Sequence, residues 1–145
     1  MSIQSIIPKL IQGITQNGFS ESKTLLKQLP PIYLNKTLFK QDNFNEIELF
    51  SNDEFKIHMI YWGDTYQSRT LYKHALTPSY GKTLKGSLFD EIYKDYLIIK
   101  PIHSNVYEKD TIFDTAYNSD MYKLINNLPN TVSIHITQQL DIKVI

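Results

Sequence analysis

FKIHMIYW, residues 55–62, is the stretch that sets the fold class. It is rich in β-branched and aromatic residues, which fit the pleated and half-buried surface of a strand. Successive side chains of a strand point to opposite faces, so His58, Ile60 and Trp62 are predicted to share one face. Residues 55–62 are therefore predicted to form a strand with a histidine and a tryptophan on the same side.

Similar short stretches follow one another from about residue 45 onward, with turn residues between many of them. The predicted strands are Glu46–Phe50, Phe55–Trp62, Thr70–His74, Ser87–Tyr93, Tyr96–Ile102, Thr111–Ala116, Met121–Leu124, Thr131–Ile136 and Leu140–Ile145. Many short strands at close spacing are typical of a β-sandwich or β-barrel.

The first thirty residues show a helical period instead. Apolar residues recur there at spacings of three and four, at Ile3, Ile6, Ile7, Leu10, Ile11 and Ile14. Proline is tolerated best in the first turn of a helix, so we expect this helix to begin near Ser5 or to kink at Pro8. A second helix is predicted with Ser20 as its N-cap and an end before Pro30.

Composition disfavours several classes of partner. The chain has 15 basic and 15 acidic residues and no run of like charge, so neither nucleic acid nor a membrane surface is expected to bind. It lacks an apolar run long enough to span a bilayer and a secretory leader pattern, and it contains no cysteine. These features predict a cytoplasmic protein.

Residues 62–88, WGDTYQSRTLYKHALTPSYGKTLKGSL, resemble the cysteine dioxygenase family of the cupin superfamily. At this place the family has Trp-Gly, a short loop, His-x-His, a cysteine and a glycine. In the matching frame Tyr72-x-His74 occupies the His-x-His, Ser79 the cysteine and Gly86 the glycine.

Two further blocks extend the resemblance. YKLIN, residues 122–126, lies where the family has its third iron histidine followed by asparagine, and Tyr122 stands at the histidine. SIHIT, residues 133–137, resembles the Ser-x-His-x-Tyr of the family, with Thr137 in place of the tyrosine.

The resemblance implies a mainly β fold: a cupin-type β-barrel, also described as a double-stranded β-helix or RmlC-like jelly roll, with two short N-terminal helices. Residues 1–145 are expected to form a single cupin domain, with the helices in residues 1–31 packed on a barrel in residues 45–145.

The metal positions of the family are altered. Two of the three histidines are replaced, by Tyr72 and Tyr122, and His74 remains. Iron(II) favours neutral imidazoles in such sites, whereas a phenol must lose its proton before it binds. No cofactor is therefore expected, and the alternative is iron or another divalent metal held by His74, Tyr72 and Tyr122.

The substrate side is altered as well. The early strand that carries the family's carboxylate-binding arginine has none here, which leaves Arg69, the single arginine of the chain, as the candidate. The thioether crosslink of the family cannot form between Ser79 and Thr137. The residues predicted to contact a ligand are Trp62, Arg69, Ser79, Tyr122, Ser133, Thr137 and His58, and the predicted catalytic residues are His74, His135 and Tyr72.

Two classes of function stay open. The first is a cysteine dioxygenase-like cupin with an altered metal site that binds a small molecule or performs a tailoring reaction other than dioxygenation. The alternative is an enzyme: a metal-dependent oxygenase, like the thiol dioxygenases, using His74 with other ligands, or a metal-free acid–base catalyst using His74 and His135. A small molecule is the expected partner, and the chain is expected to be a monomer or dimer.

The acidic residues Asp90, Glu91, Glu108 and Asp114 show no acid–base spacing and are interpreted as solvated.

Overall fold

The computed structural model describes residues 2–32, 34, 44–65, 68–72, 78–94, 100–101, 103–114 and 121–139. Within these ranges, the side chains of residues 68–72, 103 and 121 are not described. The predicted strands Tyr96–Ile102 and Leu140–Ile145 lie almost wholly outside the described residues.

Two helices form the N-terminal part. Helix α1 spans Ile3–Asn17, with Ser2 as its N-cap and Pro8 inside it, so it begins two residues earlier than predicted. A 3-10 turn at Phe19–Glu21 leads into α2, Ser22–Lys27. The N-cap of α2 is Glu21 and not Ser20, because Ser20 lies inside the 3-10 turn.

Strands follow from residue 45 onward, as predicted. They are β1 Asn45–Ser51, β2 Phe55–Tyr61, β3 Ser68–Tyr72, β4 Ser79–Lys85, β5 Ser87–Tyr93, β6 His103–Glu108, β7 Ile112–Asp114, β8 Met121–Asn126 and β9 Val132–Gln138. Antiparallel pairing arranges them in a five-stranded sheet, in the order β1-β2-β9-β4-β7, and a four-stranded sheet, in the order β3-β8-β5-β6.

The two faces of the five-stranded sheet pack against different layers. On its outer face, Ile57 and Ile134 pack with the apolar side of α1, which includes Ile6 and Leu10. On its inner face, the apolar side chains meet those of the four-stranded sheet, in a buried cluster of Ile60, Trp62, Leu88, Phe113, Tyr122 and Leu124. The molecule therefore has three layers, and the space between the sheets collects the inner side chains of both.

Two expectations about the β part are corrected. Among the described strands no ladder joins the two sheets, which meet through side chains, so the arrangement is a sandwich and not the closed barrel expected. The strands β4 and β6 were not predicted. The sequence of β4, SYGKTLK, has a glycine and two lysines, which are poor strand formers, and it is held by pairing with both β7 and β9.

Candidate functional site

The inner face of the five-stranded sheet carries a group of polar side chains. His58 of β2 lies opposite His135 of β9, and Gly81 of β4 lies opposite His135 on its other side. Strand alternation then places Ser133 and Thr137 on the same face as His135. Imidazoles and hydroxyls are thus brought together on the side of the sheet that faces the second sheet.

A first hydrogen-bond chain fixes His135. The indole Nε1 of Trp62 donates to Ser133 Oγ at 2.9 Å, and Ser133 Oγ lies 2.7 Å from Nε2 of His135. Trp62 is fully buried and His135 is 5% exposed. An indole can only donate, so Ser133 accepts from Trp62, and its hydroxyl can then either donate to Nε2 of His135 or accept from it. The chain therefore fixes the orientation of the His135 ring without fixing its tautomer.

A second chain runs diagonally over four strands of the same sheet. Oε1 of Glu46 lies 2.5 Å from Nδ1 of His58, and Nε2 of His58 lies 3.1 Å from Thr137 Oγ1. Thr137 Oγ1 lies in turn 3.0 Å from Ser79 Oγ. His58 is 3% exposed, whereas the Glu46 side chain is 32% exposed. The chain thus connects a buried imidazole with a carboxylate at the rim.

Aromatic stacking locks the two histidines in place. The rings of His58 and His135 stack with centroids 5.1 Å apart, and Phe113 meets His135 edge-on at 5.6 Å. Gly81 leaves room for this packing, since a Cβ at that position would lie 2.4 Å from Cζ of Phe113 and 3.1 Å from Nδ1 of His135. The imidazole orientations are therefore set by close packing as well as by hydrogen bonds.

The four-stranded sheet contributes a buried carboxylate, which corrects the interpretation of Asp90 as solvated. Asp90 is 1% exposed. Its Oδ2 accepts a hydrogen bond of 2.6 Å from the Tyr107 hydroxyl, and its Oδ1 accepts from the Asn105 backbone N–H at 2.9 Å. Burial and then the hydrogen bond to Asp90 raise the pKa of Tyr107. Asp90 is thus a buried acceptor held by neighbouring groups.

Tyr122 lies beside this carboxylate and is 2% exposed. Its hydroxyl has no hydrogen-bond partner within hydrogen-bonding geometry among the described residues. Burial raises the pKa of the Tyr122 phenol strongly, and the charge of Asp90 and a loose hydrogen-bonding contact with its carboxylate add to this effect. The hydroxyl therefore keeps its proton over the ordinary pH range and is available as a donor.

The predicted ligand-contacting residues are placed in part. Six of them have described side chains on the inner faces of the two sheets: Trp62, Ser79, Tyr122, Ser133, Thr137 and His58. Of the predicted catalytic residues, His135 lies with them. His74 is outside the described residues, and so are the side chains of Tyr72 and Arg69. The β3 backbone pairs Tyr72 with Met121 and Leu71 with Tyr122.

The described residues do not fit a cupin metal. Within the described ranges, no group of three histidine, aspartate or glutamate side chains is placed to hold an ion. Both ring nitrogens of His58 and Nε2 of His135 face protein partners, and the raised pKa of Tyr122 opposes formation of a phenolate ligand. Metal binding at His74, Tyr72 and Tyr122 stays a hypothesis about positions that are mostly outside the described residues.

Three residues of the site were missed by the sequence reasoning. Glu46 and Asp90 carry charge on strands, and strand alternation alone does not tell which charged side chain faces a second sheet. Phe113 lies in a strand of three residues, which gives too short a pattern to assign a face. The alternation of Ile92 and Leu88 around Asp90 was the available signal.

The layered architecture and the polar inner face define the class: the chain has the cupin fold. Solved structures with the same fold include KdgF from Halomonas sp., at 9% identity and a TM-score of 0.53 over 70% of this chain and 84% of that one. The cupin domain of Cnp3 from Schizosaccharomyces pombe is 15% identical, with a TM-score of 0.50 over 68% and 61%. Hydroquinone 1,2-dioxygenase PnpCD, solved with Cd²⁺ and 4-hydroxybenzonitrile, is 8% identical, with a TM-score of 0.54 over 75% and 72%.

At these sequence identities, the similarity to the solved structures shows the fold alone. No protein-family model and no curated protein sequence matches the chain. In the described part of the chain, no helix combines the length and the apolar character needed to cross a membrane.

Proposed function

We propose that this chain is a cupin that binds a neutral small molecule between its two sheets without iron. The binding groups are the Tyr122 hydroxyl on the four-stranded sheet and the row of hydroxyls and imidazoles on the five-stranded sheet. In this proposal the chain shares its fold with the cysteine dioxygenase family but binds a ligand without a metal at the altered site.

The observation that carries this proposal is the Tyr122 hydroxyl. No described residue forms a well-aligned hydrogen bond with this hydroxyl, and a buried hydroxyl that lacks such a bond costs up to about 1–3 kcal/mol. The hydroxyl belongs to the buried cluster that also contains Trp62 and Phe113, where the two sheets meet. A ligand atom that accepts a hydrogen bond from Tyr122 would remove this cost.

Charge on the inner faces supports a neutral ligand. Asp90 is a buried carboxylate beside Tyr122, and Glu46 is a second carboxylate beside His58. A carboxylate on the ligand would face repulsion from Asp90 in surroundings of low dielectric. The absence of an arginine from β1 agrees with this choice, because that strand carries the family's carboxylate-binding arginine.

A matched pair of probes tests the proposal. 4-Hydroxybenzonitrile, the molecule named with the dioxygenase structure, is neutral and offers a nitrile acceptor, and 4-hydroxybenzoate has the same ring with a carboxylate. Binding is measured by ligand-observed NMR and calorimetry. We expect the neutral probe to bind at least about tenfold more tightly, since one unfavourable buried charge contact exceeds about 1.4 kcal/mol.

Variants assign the binding to the proposed site. Tyr122→Phe is expected to weaken binding of the neutral probe about fivefold or more through loss of one hydrogen bond. Tyr93→Phe is the matched control, because Tyr93 lies on the opposite face of β5 and should leave binding unchanged. Equal binding by the Tyr122 variant and the parent would refute the proposal. Stoichiometric iron(II) binding that is lost in His74→Ala would instead favour a metal-dependent oxygenase.

A further inference from the structure

The second hydrogen-bond chain has a direction that follows from its chemistry. An ionised carboxylate only accepts protons, and Oε1 of Glu46 lies 2.5 Å from Nδ1 of His58 at an ion-pair distance that does not meet hydrogen-bond geometry, so the carboxylate favours the tautomer with its proton on Nδ1. When His58 is neutral, its Nε2 must accept, and Thr137 then donates to it. Thr137 has one proton, so it accepts from the Ser79 hydroxyl. Every proton in the chain therefore points from Ser79 toward Glu46.

Protonation of His58 reverses the two hydroxyls. Nε2 then donates to Thr137, Thr137 donates to Ser79, and the Ser79 proton points away from the chain. With neutral His58, Ser79 presents a lone pair to a neighbouring molecule. With protonated His58, it presents a proton. Ser79 is half-buried, whereas His58 is 3% exposed, so Ser79 is the more accessible end.

We propose that Glu46, His58, Thr137 and Ser79 form a metal-independent proton relay in which His58 is the acid–base group and Glu46 orients it. The inference rests on the proposed function, because it assigns chemistry to a ligand bound at that same site. Its substrate class is a neutral carbonyl compound with an acidic C–H next to the carbonyl group. An unperturbed imidazole titrates near neutrality and abstracts only protons that are activated in this way.

The proton balance of the step closes within the chain. The C–H bond of the ligand breaks, and its proton goes to Ser79 Oγ. The proton of Ser79 moves to Thr137, and the proton of Thr137 moves to Nε2 of His58. The products are an enolate and an imidazolium that is paired with Glu46. Return of the proton to another atom of the ligand completes an isomerisation and restores neutral His58, so no oxidant or further reactant is needed.

The groups that share the surroundings of His58 define the controls. The described titratable side chains on the inner faces of the two sheets are Glu46 and Glu48 on β1, Lys56 on β2, His135 on β9, and Asp90, Tyr107 and Tyr122 on the facing sheet; of these, Glu46 and His135 contact His58. Glu48 is the most useful control, since it lies directly opposite His58 in the β1–β2 register but the ion pair is made by Glu46. Glu46→Gln and Glu48→Gln remove the same charge from the same strand.

The test is histidine side-chain ¹⁵N NMR of the ligand-free protein over a pH series. Neutral His58 is expected as the Nδ1–H tautomer. In Glu46→Gln it should bind its proton about tenfold or more weakly, and in Glu48→Gln by less than about twofold. Thr137→Val should shift the Nε2 resonance toward that of an unbonded acceptor, while Thr137→Ser keeps the hydroxyl and the parent value.

Two results would overturn the relay: an Nε2–H tautomer of neutral His58, or equal effects of the two glutamate variants. The readout needs no ligand, so it is independent of the probe experiment. Loss of probe binding with an intact His58 titration pattern would remove the proposed ligand site and its substrate class, and would leave only the order of protons along Glu46, His58, Thr137 and Ser79. The reverse pattern would keep the ligand site and remove the relay.

Discussion

Replacing Tyr122 by phenylalanine tests directly whether its hydroxyl is buried at a cost. The change removes one oxygen and keeps the ring in the cluster with Trp62 and Leu124. The hydroxyl has no well-aligned hydrogen bond to a described residue, and burial without one costs up to about 1–3 kcal/mol, so the ligand-free variant should be more stable than the parent by about 1 kcal/mol at neutral pH. Urea unfolding followed by circular dichroism measures this difference.

Alkaline pH should enlarge the difference. The pKa of Tyr122 is raised in the folded protein by burial and by Asp90, while an unfolded tyrosine titrates near 10. Stability from the raised pKa is fully present below about pH 10 and is lost as the pH rises, since only the unfolded chain releases the proton. At about pH 11 the parent should have lost about 1.4 kcal/mol through Tyr122, a loss that the variant avoids.

Tyr107→Phe is the matched contrast. Tyr107 donates to Asp90 at 2.6 Å, so its loss leaves a buried carboxylate with one partner fewer and should destabilise the protein by about 1–3 kcal/mol. The two variants delete the same atom beside the same carboxylate and are expected to change stability in opposite directions. A Tyr122 variant that is less stable than the parent would show that the hydroxyl has a partner, and the main support for the ligand site would be gone.

The remaining predictions concern packing and activity. Gly81→Ala should cost about 1–3 kcal/mol in urea unfolding, because its Cβ would lie 2.4 Å from Cζ of Phe113; an unchanged midpoint would contradict the packing. Gly86→Ala should cost more than Gly18→Ala, since both have positive φ but only the Cβ at Gly86 meets another residue, Thr131 Oγ1 at 2.3 Å. Trp62 is fully buried, so its fluorescence should be blue-shifted and protected from iodide; free quenching would contradict its position. Cysteine supplied with iron(II) should not be oxidised to the sulfinate at a useful rate, and oxygen uptake comparable to that of a dioxygenase would contradict the altered site.

Local periodicity was enough to predict the helices and strands that bury one side against a single neighbouring layer. The spacing of Ile3, Ile6 and Leu10 predicted α1, because one side of that helix packs on the outer face of the sheet. The alternation in residues 55–62 placed His58 and Trp62 on one face, and both lie on the inner face. Such patterns are visible in sequence since one layer covers one side of the element.

Elements stabilised by distant partners could not be predicted in this way. Lys82 in β4 is 6% exposed, and its Nζ donates to the carbonyl oxygen of Leu26 at the end of α2, 56 residues away. From the sequence alone a lysine at that position is interpreted as solvated, because nothing local shows that α2 packs over it. The pairing of Glu46 with His58 depends on strand register in the same way, because Glu48 and not Glu46 lies opposite His58.

Ser79 and Thr137 show how the altered residues could support different chemistry on the same backbone. The resemblance aligns them with a cysteine and a tyrosine that the dioxygenase family joins covalently, and here their hydroxyl oxygens lie 3.0 Å apart. A thioether bond fixes two side chains but carries no proton, whereas two hydroxyls in contact exchange donor and acceptor roles. Thr137 also reaches His58, so this substitution connects the pair to an imidazole and a carboxylate. The two side chains that cannot form a thioether crosslink are thus the two hydroxyls of the proposed relay.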